Sequence, residues 1–325
     1  MVKVVISHRL HDDGMAVLEK HNTDIVITNS GDPHVMLPEL LDADGLIIRI
    51  GSIDRKTMLQ AKNLKVIGRP GVGVDDVDVK TATELGIPVV IAPGANTRSV
   101  AEHAFALMFA CAKDIVRSDN EMRKGNFNIR SSYKAYELHK KTLALIGYGR
   151  IGSILAQMSK AIGMNIKVYD PFVSPEAIEK EGYQYCAQLD DVIKGAHVIS
   201  IHVPLTKETR NLISEREINL MNANTIVINC ARGEVVDENA LIHALEQGII
   251  HSAGLDVFAN EPVNINSPLF KLDNVTVSPH MAGQTKEAAS GVATMATEGV
   301  LAVINGERWP YVCNPEVYEH PRWNK

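Results

Sequence analysis

Leu143-Ala144-Leu145-Ile146-Gly147-Tyr148-Gly149-Arg150-Ile151-Gly152 places a G-x-G-x-x-G directly behind an apolar run, near the middle of a 325-residue chain. The run from Thr142 to Ile146 reads as a strand and Ser153 to Ile162 as the helix it turns into, which gives an otherwise weak glycine triplet its meaning. The first glycine permits the tight turn, the second lets a pyrophosphate approach the backbone, and the third allows helix and strand to pack closely. Free N–H groups and the partial positive charge of the helix start face that phosphate. A further short strand, Asn165 to Tyr169, delivers Asp170 eighteen residues past Gly152, the spacing at which a carboxylate meets the adenosine ribose hydroxyls. Pro171 and Phe172 follow, and no Arg stands beside the acid to receive a 2′-phosphate, so NAD is expected rather than NADP.

Length and composition bound the rest. A chain of this size, 45% hydrophobic, is long enough for two domains with separate cores. The net charge of −6 and pI near 6.1 give no general attraction for nucleic acid or an anionic membrane surface. An anionic ligand would therefore need local arginines or helix starts. Cys111, Cys186, Cys230 and Cys313 are far apart and form no C-x-x-C, so neither a disulfide framework nor a metal site is suggested. The opening run Met1 to Ser7 is too short for a secretory core, and the longest apolar run, Ala104 to Ala112, is too short for a membrane span. A soluble cytoplasmic protein is the expectation.

Ahead of residue 98, strand-like runs (Lys3–Ser7, Asp24–Thr28, Gly45–Ile50, Lys65–Gly68, Ile87–Ala92) alternate with helical stretches (Asp12–Lys20, Val35–Leu41, Arg55–Ala61, Val77–Leu85), the pattern of a parallel sheet with crossover helices. Ser99-Val100-Ala101-Glu102 fits a capping box, and the helix it opens is expected to run to about Lys124. Ala104 to Ala112 is apolar on every face and expected to be buried all round; Gly125 to His139 reads as a connector. After the glycine motif, further strands at His197–His202, Thr225–Asn229, Ala253–Val257 and Val275–Ser278 bring the second series to six, suiting a doubly wound dinucleotide domain. A helix over Thr285 to Asn305 leads to a tail expected to fold back onto the N-terminal unit. The expected organisation is a substrate domain of residues 1–98 plus 300–325 and an NAD-binding domain of 99–299.

In a doubly wound sheet the ligand lies beyond the carboxyl ends of the strands. Three of those ends carry unusual residues: Cys230-Ala231-Arg232-Gly233, Phe258-Ala259-Asn260-Glu261-Pro262, and Pro279-His280-Met281-Ala282-Gly283. Arg232 suits a carboxylate, which its fork of donors both anchors and orients. His280 suits proton exchange with a hydroxyl or carbonyl oxygen while hydride moves at a nicotinamide, and Glu261 beside it would favour the imidazolium.

These motifs, together with His202-Val203-Pro204-Leu205-Thr206 and Gly254-Leu255-Asp256-Val257-Phe258, resemble the D-isomer-specific 2-hydroxyacid dehydrogenases over nearly the whole chain. The resemblance implies a Rossmann NAD-binding domain inserted into a flavodoxin-like substrate domain, both doubly wound parallel α/β sheets. It implies Arg232, Glu261 and His280 as the catalytic set. It implies NAD along Gly147, Gly149, Arg150, Ile151, Gly152, Asp170, His202, Val203, Pro204, Thr206, Cys230, Ala231, Arg232, Asp256, His280 and Gly283. Substrate contacts are implied at Arg49, Ile50 and Gly51 and at Gly71, Val72 and Gly73, with Arg232 and His280; no metal is implied. A small anionic 2-hydroxy or 2-keto acid is the expected partner, and a homodimer formed around the helix after Ser99 and its connector the expected assembly. Closure of the domains about segments near 98 and 285–300 would exclude water.

Within the family the chain is most similar to the 3-phosphoglycerate dehydrogenase and hydroxypyruvate reductase branch, without the C-terminal regulatory domain many of the former carry. Where relatives often have Arg-Ser it has Arg49-Ile50, and Val72 fills a position that is often polar. Both departures remove donors for a second anion such as phosphate. The competing expectation is an NAD(H)-sensing regulator of the same fold, corepressor-like, without turnover.

Overall fold

The structure is a computed structural model describing residues 1–324. In chain order its elements are β1 (Lys3–Ile6), α1 (Asp12–Lys20), β2 (Asp24–Ile27), α2 (Pro33–Leu40), β3 (Gly45–Ile47), α3 (Arg55–Gln60), β4 (Val66–Gly68), α4 (Val79–Glu84), β5 (Val89–Val90), α5 (Thr97–Ala112) and α6 (Ile115–Arg123). There follow β6 (Thr142–Ile146), α7 (Arg150–Ala161), β7 (Asn165–Tyr169), α8 (Pro175–Lys180), β8 (Gln184–Tyr185), α9 (Leu189–Ile193), β9 (Val198–Ile201), α10 (Glu215–Ile218), β10 (Ile226–Asn229), α11 (Glu238–Glu246), β11 (Ser252–Leu255), β12 (Val275–Val277) and α12 (Lys286–Ile304). They divide into two compact units, Met1–Asn96 with Gln284–Lys325, and Thr97–Gly283.

The first unit holds five parallel strands in the order β2-β1-β3-β4-β5, the doubly wound arrangement of flavodoxin-like folds. Alternation along each strand feeds two cores: Val5, Leu46, Ile67 and Val89 pack with α2, α3 and α4, while Val4, Ile6, Ile47, Val66 and Val90 pack with α1 and α12. The chain returns to this unit at Gln284 rather than at 300, and first leaves it at Asn96 rather than 98. The reason is the apolar face of α12. It is long and apolar enough to cross a membrane, yet Ala293, Val300, Leu301 and Val303 are buried and join the core beneath α1, β3 and β4. The tail does fold back: Val312 bridges Val90, the Asn314 side chain accepts from Val89 N–H (2.8 Å), and Arg322 donates to the Leu64 carbonyl (2.9 Å).

The second unit has seven parallel strands, β12-β11-β10-β9-β6-β7-β8, one more than the six read from the sequence. The addition, β8, is a two-residue edge strand paired with β7, too short to leave a periodic signature. Leu143, Leu145, Val168, Val198 and Ile228 face α5, α7 and α8; Ala144, Ile146, Ile199, Val227 and Leu255 face α9, α10 and α11. The order of the strands reverses about β6, whose neighbours are β9 and β7, so the loop after β6 opens at the switch point.

The expected helix from Ser99 to Lys124 is two helices. Asp114 adopts a left-handed backbone (φ 52°) and ends the continuity between α5 and α6. Nor is Ser99 an N-cap. The helix begins at Thr97, the buried Ser99 hydroxyl donates to the Ala282 carbonyl (2.5 Å), and Glu102 pairs with Arg98 instead of reaching back to the backbone.

Candidate active site

The glycine loop is built from its neighbours. Gly147 has φ +98°, and a Cβ there would meet the His202 carbonyl oxygen at 2.5 Å, so only glycine fits the turn from β6 into α7 where it packs against the end of β9. Gly149 caps α7, and a Cβ placed on it meets nothing within 4 Å. That open space lies over the first turn of α7, at Arg150, Ile151 and Gly152, whose N–H groups have no intrahelical acceptor. This cradle fits a pyrophosphate approaching the backbone. Asp170 sits at the end of β7 with Oδ2 accepting from Tyr148 N–H (2.7 Å) and Oδ1 from Phe172 N–H (2.8 Å). Each oxygen keeps a lone pair for a ribose hydroxyl.

Beyond β9, Val203 and Pro204 lead to Thr206, whose hydroxyl accepts from the N–H groups of Glu208 and Thr209 (3.2 Å each) and so shapes the following loop. The His202 imidazole bonds Ser200 Oγ (2.8 Å), and burial pushes its pKa down to about 4. A neutral His202 therefore braces the glycine loop from below.

β10, β11 and β12 are adjacent and parallel, so the loops that follow them emerge side by side. After β10 the Asn229 side chain accepts from Ala231 N–H (3.0 Å) and donates to the Arg232 carbonyl (2.9 Å), closing the Cys230-Ala231-Arg232 turn. Burial pushes the Cys230 thiol well up, which leaves it an inert apolar lining. Gly233 is required by packing. A Cβ there would lie 1.9 Å from Phe258 C and 2.0 Å from Phe258 O, so the glycine lets the loop after β11 close on Arg232. That loop is held by Glu238 at the start of α11, which accepts from Ala259 N–H (3.0 Å), and by Glu261 itself, which accepts from Phe258 N–H (3.0 Å).

Glu261 Oε2 lies 2.6 Å from His280 Nδ1. Burial acts to raise the Glu261 carboxyl, but the hydrogen bond with His280, that from Phe258 N–H, and the charges of His280 and Arg232 prevail and hold it low. The Glu261 hydrogen bond raises the pKa of His280 against the opposing effects of burial and of Arg232. The imidazole remains about half exposed (52%), open to a substrate. His280 has φ +50°, uncommon for a residue with a side chain, and the structure around it enforces this.

The enforcing group is Asp256. Asp256, expected along the cofactor, is buried (0% exposed), and its carboxylate accepts from Ser278 Oγ (2.6 Å), Met281 N–H (2.9 Å) and Ala282 N–H (2.8 Å). It faces inward because the turn carrying His280 wraps round it, ending at Gly283. His103 on α5, not singled out in the sequence, joins this network through Ser278 Oγ (2.8 Å). Glu238 and His103 carry no motif of their own. Only their tertiary neighbours mark them.

The implied substrate loops lie in the first unit. Arg49, Ile50 and Gly51 follow β3, where the buried Ser7 hydroxyl accepts from Arg49 N–H (3.0 Å) and Ile50 N–H (3.3 Å), and Arg49 Nη1 donates to the Arg9 carbonyl (2.9 Å). Gly71, Val72 and Gly73 follow β4, next to a structural ion pair of Arg69 with Asp76 (2.6 Å). Ile50 and Val72 are both exposed, at 56% and 49%.

An arginine beside a carboxylate-tuned imidazole, on the same edge of a dinucleotide-binding sheet, fits a class: oxidoreductases that pass hydride between a nicotinamide and a carbonyl–alcohol pair. Residues 105–282 match the description "D-isomer specific 2-hydroxyacid dehydrogenase, NAD binding domain". The chain is 41% identical over 315 residues to a D-3-phosphoglycerate dehydrogenase of Methanocaldococcus jannaschii, covering 97% of this chain and 60% of that protein. It is 38% identical over 324 residues to a glyoxylate reductase of Thermococcus litoralis, covering 97% of both. Among solved structures it is similar to D-lactate dehydrogenase with NAD+ from Lactobacillus jensenii (TM-score 0.79, 30% identity, 96% of this chain and 99% of that one). The chain thus spans about three fifths of the length of the phosphoglycerate dehydrogenases it matches. It belongs to the D-isomer-specific 2-hydroxyacid dehydrogenase family.

Proposed function

We propose that the protein is an NAD-dependent dehydrogenase interconverting a small (R)-2-hydroxy acid and its 2-keto acid, of the hydroxypyruvate or glyoxylate type. The observation that carries this reading is the His280–Glu261 pair, 2.6 Å apart, with the charge of Arg232 acting on both members. NAD, when bound, accepts or supplies the hydride. Arg232 holds the substrate carboxylate through parallel N–H···O bonds and so fixes which carbon is presented. Because Glu261 engages Nδ1 of His280, Nε2 is the ring atom that exchanges a proton with the substrate oxygen. Protonated, His280 donates that proton as the keto acid is reduced; neutral, it accepts one as the hydroxy acid is oxidised. Glu261 preserves the imidazolium to higher pH and favours readiness for reduction.

One observation supports a substrate without a phosphate. The loops expected to meet it carry the exposed aliphatic side chains Ile50 and Val72, which offer no side-chain donor. NADH oxidation over a panel of hydroxypyruvate, glyoxylate and 3-phosphohydroxypyruvate tests the reading. Turnover is expected on the first two with NADH preferred to NADPH. A higher kcat/KM for the phosphorylated acid would overturn the substrate assignment, and tight NADH binding without turnover on any acid would replace the enzyme with the sensor.

The protein also assembles as a homodimer in this reading. Ile115, Val116 and Met122 on α6 and Phe127 and Tyr133 after it are all exposed, an apolar strip along the segment expected to pair. A monomeric mass by light scattering would refute that.

A further inference from the structure

α5 lies alongside the turn that carries His280, and two of its residues one helical turn apart, Ser99 and His103, are hydrogen-bonded to it. The Ser99 hydroxyl holds the Ala282 carbonyl (2.5 Å) on one side of His280; His103 Nε2 holds Ser278 Oγ (2.8 Å) on the other. The proton count fixes the direction of the second bond. The Ser278 hydroxyl has one proton, and it goes to Asp256 Oδ1 at 2.6 Å, because a carboxylate can only accept. Ser278 Oγ must therefore accept from His103, which carries its proton on Nε2. The chain His103 to Ser278 to Asp256 then continues to Met281 N–H and Ala282 N–H, while the Asp256 carbonyl accepts from His280 N–H (2.8 Å). The turn so gripped contains the left-handed His280, a conformation that relaxes unless its surroundings over-determine it.

We infer that His103, acting through Ser278 and Asp256 and seconded by Ser99, is a positioning residue that fixes His280 in the orientation in which it meets Glu261. The inference rests on the catalytic reading of His280 given above. His103 touches neither His280 nor Glu261, so its loss leaves the catalytic groups intact and loosens only the turn that aims one of them. The charged groups facing His280 are Glu261, Arg232 and Asp256, and only its contact with Glu261 needs the turn to hold its shape.

His103→Phe removes the donor and keeps a planar ring; His103→Gln keeps an amide N–H near the position of Nε2. In reduction of hydroxypyruvate, His103→Phe is expected to lower kcat about tenfold, the scale of a sub-ångström misplacement, with KM and the NADH dissociation constant little changed. The pH at which kcat declines should fall, because His280 loses part of its contact with Glu261, and His103→Gln should restore both readouts. Ser278→Ala provides a second route: once it is made, adding His103→Phe should cost less than it does alone, because only the longer approach of His103 Nε2 to Asp256 Oδ1 (3.6 Å) remains. Wild-type kcat and pH profile in His103→Phe, equal losses in the Phe and Gln variants, or additive losses in the double variant would each overturn the inference. Absence of wild-type turnover on every keto acid would defeat the catalytic reading instead. The positioning claim is then decided by NMR titration of the His280 ring, which must move to lower pH in His103→Phe and stay in place in His103→Gln.

Discussion

Replacing Gly233 with alanine adds one methyl group, and the structure says what that methyl meets. Its carbon would sit 1.9 Å from Phe258 C, 2.0 Å from Phe258 O and 2.5 Å from Ala259 N, all backbone atoms that no rotamer change can remove. Ordinary contact begins near 3.4 Å, so the loop after β11 must retreat by about 1.5 Å. Glu261 is three residues along that loop and its grip on His280 is a 2.6 Å hydrogen bond, too short to survive such a shift unaltered. Misplacement of about 1 Å at a reacting group costs on the order of a hundredfold in rate, and overpacking of this kind costs about 1–3 kcal/mol of stability. The expected result for Gly233→Ala is therefore a large fall in kcat for hydroxypyruvate reduction, a modest fall in melting temperature, and NADH binding close to wild type, since the glycine loop after β6 is untouched. Stopped-flow or steady-state NADH oxidation, a thermal melt and NADH fluorescence titration read the three quantities. A kcat within about twofold of wild type would show that the Arg232 and Glu261 loops do not depend on this contact, and would refute the reasoning.

Gly149→Ala should behave in the opposite way: with nothing within 4 Å of its new Cβ, it leaves the melting temperature unchanged and weakens NADH binding, and an unchanged dissociation constant would remove the pyrophosphate from the cradle. For Glu261→Gln, the hydrogen bond that chiefly raises the His280 pKa above 6.5 loses its charge while Arg232 still pushes it down. Reduction needs protonated His280, so its rate should decline at lower pH than in the wild type, and oxidation, which needs the neutral ring, should begin at lower pH; pH profiles of kcat in both directions check this, and unmoved limbs would dissociate Glu261 from the proton step.

Much of the fold was legible because its signals are local. α1 matches its reading residue for residue, since apolar periodicity and a polar start coincide there, and the parallel sheets follow from alternating runs. What failed depended on distant neighbours. Ser99 and Glu102 have the spacing of a capping box, but Ala282 and Arg98 claim their side chains. The break at Asp114 lies in a run with no glycine or proline to announce it. The second crossing between units was misplaced because α12 reads as a continuation until its burial against α1 is seen. For the site, the rule that ligands gather at strand carboxyl ends led to Arg232, Glu261 and His280, and the structure places Glu261 and His280 in contact. Asp256 also sits at a strand end, and its hydrogen bonds to the turn carrying His280 could not be read from its position in the sequence.

The placement of α12 also governs the order in which the molecule can be made. A ribosome releases β1 to β5 first, but the face of that sheet formed by Ile47, Val66 and Val90 is covered by α1 only in part and is completed by α12 and the tail beyond it. All of Thr97–Gly283 must be synthesised in between, on the order of ten to forty seconds at ordinary elongation rates. During that interval the nucleotide-binding unit is synthesised and free to fold, while the first unit waits with one face of its sheet only partly covered, by α1. The nascent chain is therefore most exposed to chaperones and to aggregation through its oldest residues, and a stop codon just before Lys286 would yield a finished second unit attached to an unfinished first one.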